Sequence, residues 1–410
     1  MNSSREYPKI TVTKKGAKWI GDGHPWVYEG EVLSVAPEAP EDGGLCDVVS
    51  ESGKYLGTGF YNSKSKIRAR IISKNANDRF DEAFFERRLR YAIDYRLTVM
   101  GGDLSCCRLI FGEADGFPGL TVDRFSNLLS AEVLSKGIDD RKGMIFSLLV
   151  GILRESGERI DGIFERNESV LRDLEGLPRG KGWFVLPGEE PPSSVLTEIT
   201  ENGIRYEVDV ENGQKTGFFL DQKFNRLSVA RISKGKRVLD CFTHTGSFAL
   251  NAAAGGAASV TAVDVSHTAI EQAKKNASLN GLESKIEFVE ADAFEYLRRL
   301  RESGTRPYDL IILDPPAFTK SRKTAGSAER GYREINLLAM KILPRGGYLA
   351  TASCSHFMPC ARFESMLRGA ASEAGVELKE IEIKKQAPDH PILWNVPETD
   401  YLKFYIFQIV

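Results

Sequence analysis

Cysteine is scarce in this chain, and so is every marker of a secreted or membrane-spanning protein. Six cysteines spread without regular spacing through 410 residues argue against a disulfide framework and against a structural zinc site. Cys106 and Cys107 are adjacent, which suits neither a metal-ligand pair nor an easy bridge. No apolar run is long enough to cross a bilayer, and the opening stretch MNSSREYPKITVTKK holds no apolar segment of signal-peptide length. A cytoplasmic location is the expectation. Neither sign of charge dominates: a formal net charge of −2 neither demands nor excludes a polyanionic partner, because such binding depends on local patches. No self-similar period marks a solenoid or a propeller. What is there, 42% hydrophobic and 27% charged residues, is an ordinary globular composition in a chain long enough for two or three domains.

From Lys9 to about Asn75 short apolar runs alternate with turn signals such as Asp42-Gly43-Gly44 and Glu51-Ser52-Gly53, the pattern of a small β-rich domain. Within it Lys64, Lys66, Arg68 and Arg70 recur at spacing two, which in an extended segment places all four cations on one face. Two readings follow: the solvated face of a half-buried strand, or a stripe that tracks phosphates. His24, Trp26 and Tyr28 suit aromatic packing better than direct base stacking. Arg79 to Leu97 reads as a helix with Phe85, Leu89, Ala92 and Ile93 along one stripe. Leu109 to Asp123 reads as two strands around a glycine and proline turn, followed by a helix at Asp140 to Ser156 and a strand at Gly162 to Arg166. Pro187 to Pro192 is the best linker candidate. The expected division is therefore 1–78, β-rich; 79–192, central α+β; and 193–410, α/β. Just inside the last of these, Gln214, Lys215, Asp221, Gln222 and Arg226 crowd around Phe218 and Phe219, which fits a ligand wall as well as it fits packing.

From Arg237 onward strand-like and helical segments alternate regularly, which predicts a doubly wound, Rossmann-like α/β domain with right-handed crossovers. Its Leu310 to Leu313 run reads as a strand buried on both faces. Asp240, Asp264, Asp292 and Asp314 each fall where a predicted strand stops. One such acid is weak evidence, since aspartate is common at helix N-caps, but four in successive units would line the sheet edge where such domains bind ligands. The first turn, Asp240 to Gly246, has one glycine where the dinucleotide motif G-x-G-x-x-G has several, so a pyrophosphate cradle is not indicated. A ribose on Asp264 without phosphates favours S-adenosyl-L-methionine over a nicotinamide cofactor.

The segments Asp240-Cys-Phe-Thr-His-Thr-Gly246, Val263-Asp264, Ala291-Asp292-Ala293, Asp314-Pro-Pro-Ala-Phe318 and Ser353-Cys354-Ser355 resemble the ordered motifs of class I S-adenosylmethionine-dependent methyltransferases. Gln214-Lys-Thr-Gly-Phe-Phe-Leu-Asp-Gln222 and Gly23-His-Pro-Trp26 narrow the resemblance to the 23S ribosomal RNA cytosine-C5 methyltransferases with an N-terminal PUA domain and a central domain. The resemblance covers nearly the whole chain, and its motifs are specific jointly rather than singly. It implies S-adenosyl-L-methionine as cofactor, with Asp264 on the ribose hydroxyls and Asp292 with Ala293 on the adenine. Asp240 and the backbone around Phe242, Thr245 and Gly246 would hold the methionine end, with Phe219, Asp221, Gln222 and Asp314 completing the pocket. It also favours RNA, 23S rRNA in particular, as the partner of the Lys64 to Arg70 stripe, and it leaves room for a homodimer.

Cytosine C5 is a poor nucleophile, and covalent attack of a thiolate on C6 makes it enamine-like. The resemblance makes Cys354 that nucleophile, against the ordinary fate of a free cysteine as a small buried hydrophobe. Asp314 would hydrogen-bond the base edge, and Phe318, Lys320 and Arg322 would contact RNA, with Lys323, Arg330 and Arg333 also close in sequence. His356 is either a proton shuttle or a loop residue. Ala317 stands where many RNA cytosine-C5 methyltransferases carry a second cysteine, so the base that removes the C5 proton is unnamed. Three alternatives stay open: methylation of an exocyclic amine or ring nitrogen without a cysteine, a nicotinamide-dependent oxidoreductase, and a noncatalytic RNA-binding assembly protein.

Overall fold

The computed structural model describes residues 7–318 and 325–410, so the expected RNA contacts Lys320, Arg322 and Lys323 lie outside the described residues. The chain divides into two compact units, one made of 1–199, 208–220 and 388–399, the other of 200–207, 221–387 and 400–410. The expected boundary after Pro192 therefore falls inside the first unit.

The first unit carries two sheets. One is six-stranded, from β1 (Lys9–Val12), β2 (Trp26–Tyr28), β3 (Val32–Val35), β4 (Leu45–Ser50), β5 (Tyr55–Tyr61) and β6 (Ile67–Ser73), in the order β2-β6-β5-β4-β1-β3. Ile10, Val12, Val27, Val48, Ala69 and Ile71 form its core, each on the inward face of an alternating strand. The other is five-stranded, from β7 (Cys106–Phe111), β8 (Leu120–Phe125), β9 (Leu128–Val133), β10 (Gly162–Asn167) and β11 (Gly180–Phe184). The helix predicted at Arg79 to Leu97 is observed as Glu82–Val99, N-capped by Asp81, and its stripe of Phe85, Leu89, Ala92 and Ile93 is buried.

The cationic stripe needs correcting. Lys64 and Lys66 precede β6 and are exposed, so only Arg68 and Arg70 share a strand face. Arg68 is paired with Glu29. Arg70 reaches Glu175 at 2.8 Å and Glu113 at 3.5 Å, its guanidinium 5.7 Å from the Trp26 ring. Trp26 Nε1 donates to Glu113 Oε1 at 2.8 Å, and His24 is buried against Trp19 and Trp26. The aromatic packing expected for this motif is what the structure shows, and Arg70 joins the β-rich segment to the central one.

The hairpin β12 (Leu196–Glu201) and β13 (Ile204–Asp209) precedes the second unit's main sheet. That sheet is formed by β14 (Arg237–Cys241), β15 (Ser259–Asp264), β16 (Ile286–Glu290), β17 (Leu310–Leu313), β18 (Tyr348–Ser353), β19 (Leu378–Lys384) and β20 (Lys403–Ile409). Its order is β16-β15-β14-β17-β18-β20-β19, parallel except for β20, which runs antiparallel to both neighbours. All four residues of β17 are buried, as a strand covered on both faces requires. The helices Ser247–Ala254, His267–Leu279, Ala293–Glu302, Ala325–Ile342 and Cys360–Ala374 connect the strands. His267–Leu279 shows how the sequence specifies them: Ser266 caps its N-terminus, and Ala269, Ile270, Ala273 and Ala277 form its buried stripe. Strand order reverses at β14, whose neighbours are β15 and β17, so the ligand crevice of this architecture is expected beyond the carboxyl end of β14.

The most heavily bonded buried charge lies in the first unit. Arg96 is fully buried and donates to Asp115 Oδ1 and Oδ2 at 2.6 and 2.7 Å and to the carbonyls of Arg108 and Asp389. Removing one partner of a buried pair leaves an uncompensated charge, so Arg96→Ala should destabilise the first unit by about 3–5 kcal/mol in urea titration. A loss under about 1 kcal/mol would refute that role.

Candidate active site at the carboxyl edge of the seven-stranded sheet

Asp240 lies in β14 with no exposed surface. Its Oδ2 accepts from Thr243 Oγ1 at 2.6 Å and from the Ala249 amide at 2.9 Å, drawing the loop after the strand back over the strand end. Burial, with Asp314 and Asp264 nearby, pushes its carboxyl up to about 7, against the lowering effect of those two hydrogen bonds. The loop itself is strained. Phe242 and His244 have φ of 64° and 51°, values that bulky residues rarely adopt and that cluster at ligand sites. Gly246 follows at φ 83°, where an added Cβ would lie 3.0 Å from Ala273 Cβ. The amide of Thr243 donates to the Val263 carbonyl at 3.0 Å and that of His244 to Asp264 Oδ2 at 2.9 Å, so β15 holds the loop from the other side.

Asp264 ends β15 and also accepts from the Ser266 amide at 2.9 Å. A carboxylate has about four acceptor sites, so room for hydroxyl donors is left. Asp292 is the N-cap of Ala293–Glu302, accepting from the Glu295 amide, and is exposed; Ala293 is buried. It therefore does the ordinary work of a capping aspartate, and this use of one carboxylate oxygen leaves the other at the sheet edge.

Asp314 follows β17 directly. In register, Cys241 is level with both Val263 and Leu313, so the chain leaves the sheet at Phe242, Asp264 and Asp314 side by side. Asp314 Oδ1 accepts from Gln222 Nε2 at 2.9 Å, and Gln222 Oε1 accepts from Asn225 Nδ2 at 2.6 Å. Asn225 thus fixes which end of the Gln222 amide faces Asp314. Sequence reasoning passed over Asn225, although its place three residues after Gln222 on one helical face was a usable signal. Asp221 is buried, its Oδ2 accepting from Tyr401 Oη at 2.7 Å. Phe218 and Phe219 belong to the first unit, where Phe218 is buried and Lys215 Nζ lies 4.5 Å from the Phe219 ring. Arg226 is spent on Glu201 in a fully buried pair at 2.7 Å.

Phe242, Phe294, Phe318 and Tyr332 form a continuous aromatic wall, with successive ring centroids 6.3, 5.8 and 4.7 Å apart. Phe318, read as an RNA contact, is packed into it.

Cys354 follows β18 and is partly exposed, whereas Cys241 is fully buried and its thiol is pushed well up by burial. Ser353 pairs with Lys403 across β18 and β20. Lys403 Nζ donates to the carbonyls of Ser355 at 2.7 Å and Tyr401 at 2.8 Å. Burial lowers its pKa to about 8, with Cys360 and Cys354 acting in the opposite sense. A lysine inside the apolar run Leu402–Val410 was the missed signal here, and its contacts hold the backbone one residue past Cys354. His356 is exposed, its ring 5.6 Å from Phe357.

Asp240 Oδ1 and Thr245 Oγ1 are buried without a hydrogen-bond partner among the described residues. Buried polar atoms are nearly always satisfied, so each of these two atoms is a candidate acceptor for the ammonium or hydroxyl donors of a ligand. The aromatic wall suits a planar ring. No cluster of three metal-ligating side chains occurs among the described residues, and no helix there is long and apolar enough to cross a membrane.

Comparison with known proteins identifies the family. Residues 186–402 match the family model for S-adenosylmethionine-dependent methyltransferases, and residues 10–74 match a PUA-like domain. The chain is 39% identical over 406 residues to ribosomal RNA large subunit methyltransferase I of Klebsiella pneumoniae (strain 342), covering 98% of this chain and 99% of that one. It is 41% identical over 404 residues to the protein of the same name from Serratia proteamaculans (strain 568), with the same coverage. The crystal structure of SMU.776 complexed with SAH superposes with a TM-score of 0.81 over 98% of this chain and 99% of that chain, at 21% identity, a likeness of fold.

The raised carboxyl of Asp240 has a pH signature. A folded-state pKa near 7 against 3.8 unfolded means that the native state holds a proton the unfolded state has released, so stability falls as pH rises between about 4 and 7. Asp240→Asn should remove that component: the difference in stability between variant and wild type changes from pH 4 to 7 and is constant above. A difference independent of pH would overturn it.

Proposed function

The chain belongs to the S-adenosylmethionine-dependent methyltransferases, in the ribosomal RNA large subunit methyltransferase I family, and we propose that it forms 5-methylcytosine in 23S rRNA through Cys354. The observation that carries the reading is the placement of a partly exposed cysteine and a carboxylate, Cys354 and Asp314, after the adjacent parallel strands β18 and β17.

S-adenosylmethionine supplies an electrophilic methyl group when bound. Asp240 Oδ1 and Thr245 Oγ1 would take the donors of its methionine end, Asp264 the ribose hydroxyls, and Asp292 with Ala293 the adenine edge. Phe242 and Phe294 would offer ring surface to the adenine. The roles of Asp221 and Asn225 are indirect: Asp221 is tied to Tyr401, and Asn225 orients Gln222 toward Asp314.

Cys354 attacks C6 of the cytosine as thiolate, breaking the C5–C6 double bond and making C5 nucleophilic. Asp314, oriented by Gln222, would accept from the amino edge of the base and fix the ring against the thiol. After methyl transfer, loss of the C5 proton expels the Cys354 thiolate and restores the aromatic ring. Lys403 keeps the backbone beside Cys354 in place throughout, as a positioning residue. Lys64 and Lys66 remain the exposed cations of the N-terminal stripe for RNA, in a cytoplasmic setting.

Cys354→Ala should lower methyl transfer from labelled cofactor to rRNA by ~10³-fold or more, with 5-methylcytidine the labelled nucleoside in wild type. Retained transfer, or label in methyladenosine or methylguanosine, would sink the mechanism. Asn225→Ala, which frees the Gln222 amide to turn, should lower kcat by about tenfold while leaving the KM for RNA within about twofold. An unchanged kcat would remove Asn225 from the assembly.

A further inference from the structure

The first unit contains a cleft of about 680 Å³, within the size range of small-ligand pockets. Its walls come from the end of β6 and the residues after it, the turn Glu113–Gly116 and one face of the helix Glu82–Val99. On that face Arg87, Tyr91 and Tyr95 follow one another at spacing four, with Arg88 beside them.

The charges in this cleft are unevenly satisfied. Asp115 is held bidentately by Arg96, and Glu113 accepts from Trp26 and faces Arg70. Asp78 accepts from Ser73 Oγ and Asn75 Nδ2 and lies 3.7 Å from Arg87. Arg88 makes no ion pair among the described residues. Its guanidinium lies 4.6 Å from the Phe84 ring and against Gly116, where an added Cβ would collide with Nη1. Burial lowers the Arg88 pKa, with the Asp78 carboxylate acting in the opposite sense. Around this cation stand two exposed aromatic rings: Tyr91 at 65% and Tyr95 at 38%, the latter donating through Oη to the Pro388 carbonyl. Pro391 also lines the cleft, and three residues beyond it Trp394 is 93% exposed.

A half-recessed guanidinium that makes no ion pair, with Asp78 acting on it only at longer range, leaves its N–H groups for an anion, and the exposed tyrosines lining the same cleft offer a flat ring surface. Nucleotides carry both, and stacking on aromatic side chains with cations along the backbone is how single-stranded RNA is held. We infer that this cleft is a second RNA site, remote in sequence from the catalytic loops, that grips a single-stranded segment of the substrate by stacking on Tyr91 and placing a phosphate on Arg88. The site rests on the reading that the protein acts on RNA and adds a contact surface to it. Lys74 and Arg87 line the same cleft, and Tyr95, held through its Oη, is its fixed wall.

The test uses the full chain and binding rather than catalysis. Fluorescence anisotropy with a labelled single-stranded rRNA fragment compares wild type, Tyr91→Ala and Arg88→Gln, and calorimetry with S-adenosylhomocysteine checks that each variant keeps its cofactor fold. Tyr91→Ala, at an exposed position where folding is not at risk, should weaken RNA binding by about tenfold. Arg88→Gln should weaken it comparably and lower the slope of log K against log salt by ~0.7, the loss of one phosphate contact on a single strand. Wild-type binding with both variants equal to it would overturn the cleft site and leave the RNA reading standing. Absence of wild-type binding to any rRNA fragment would overturn the RNA reading and the cleft site with it.

Discussion

A carboxylate sealed inside a sheet is costly unless something bonds to it, and the loop after β14 is shaped by that requirement. Asp240 has no route to water, so Thr243 and the Ala249 amide turn inward to meet its Oδ2. Meeting it forces Phe242 and His244 through positive φ, and Gly246 completes the turn against Ala273 with no space for a side chain. Asp264 then secures the same loop from the neighbouring strand. The strain is tolerated because four polar groups over-determine the conformation, and one oxygen of Asp240 is left buried without a partner among the described residues.

The chemistry assigned to the other side of the crevice depends on segments distant in sequence. Asp314 is steered by Gln222 and Asn225, ahead of the main sheet, and the backbone past Cys354 is held by Lys403 from the last strand. That last strand lies between β18 and β19, antiparallel to both, so the side chain of its first residue comes alongside the end of β18. A lysine in that position gives up solvation, which depresses its pKa, and gains two carbonyl acceptors.

Charge in the first unit shows the opposite arrangement. The alternation of cations from Lys64 to Arg70 was visible as a pattern, but a pattern does not say whether a cation meets water or a partner. Arg70 meets Glu175 and Glu113, and Arg68 meets Glu29. Arg88, on the polar side of the helix Glu82–Val99, makes no ion pair among the described residues and feels Asp78 only at longer range.

How much was legible follows from range. The strand and helix alternation after Arg237 was readable because apolar periodicity and caps are local, and the observed strands and helices alternate in the same way. The four acids and Cys354 were readable because each sits at a strand end, and the parallel topology brings strand ends to one edge. Asp292 as a cap, Asn225 as the orienter of Gln222, Lys403 beside Cys354 and the fate of Arg70 were not. Each depends on which residue far along the chain comes within hydrogen-bond distance, and only the folded sheet and its packing decide that.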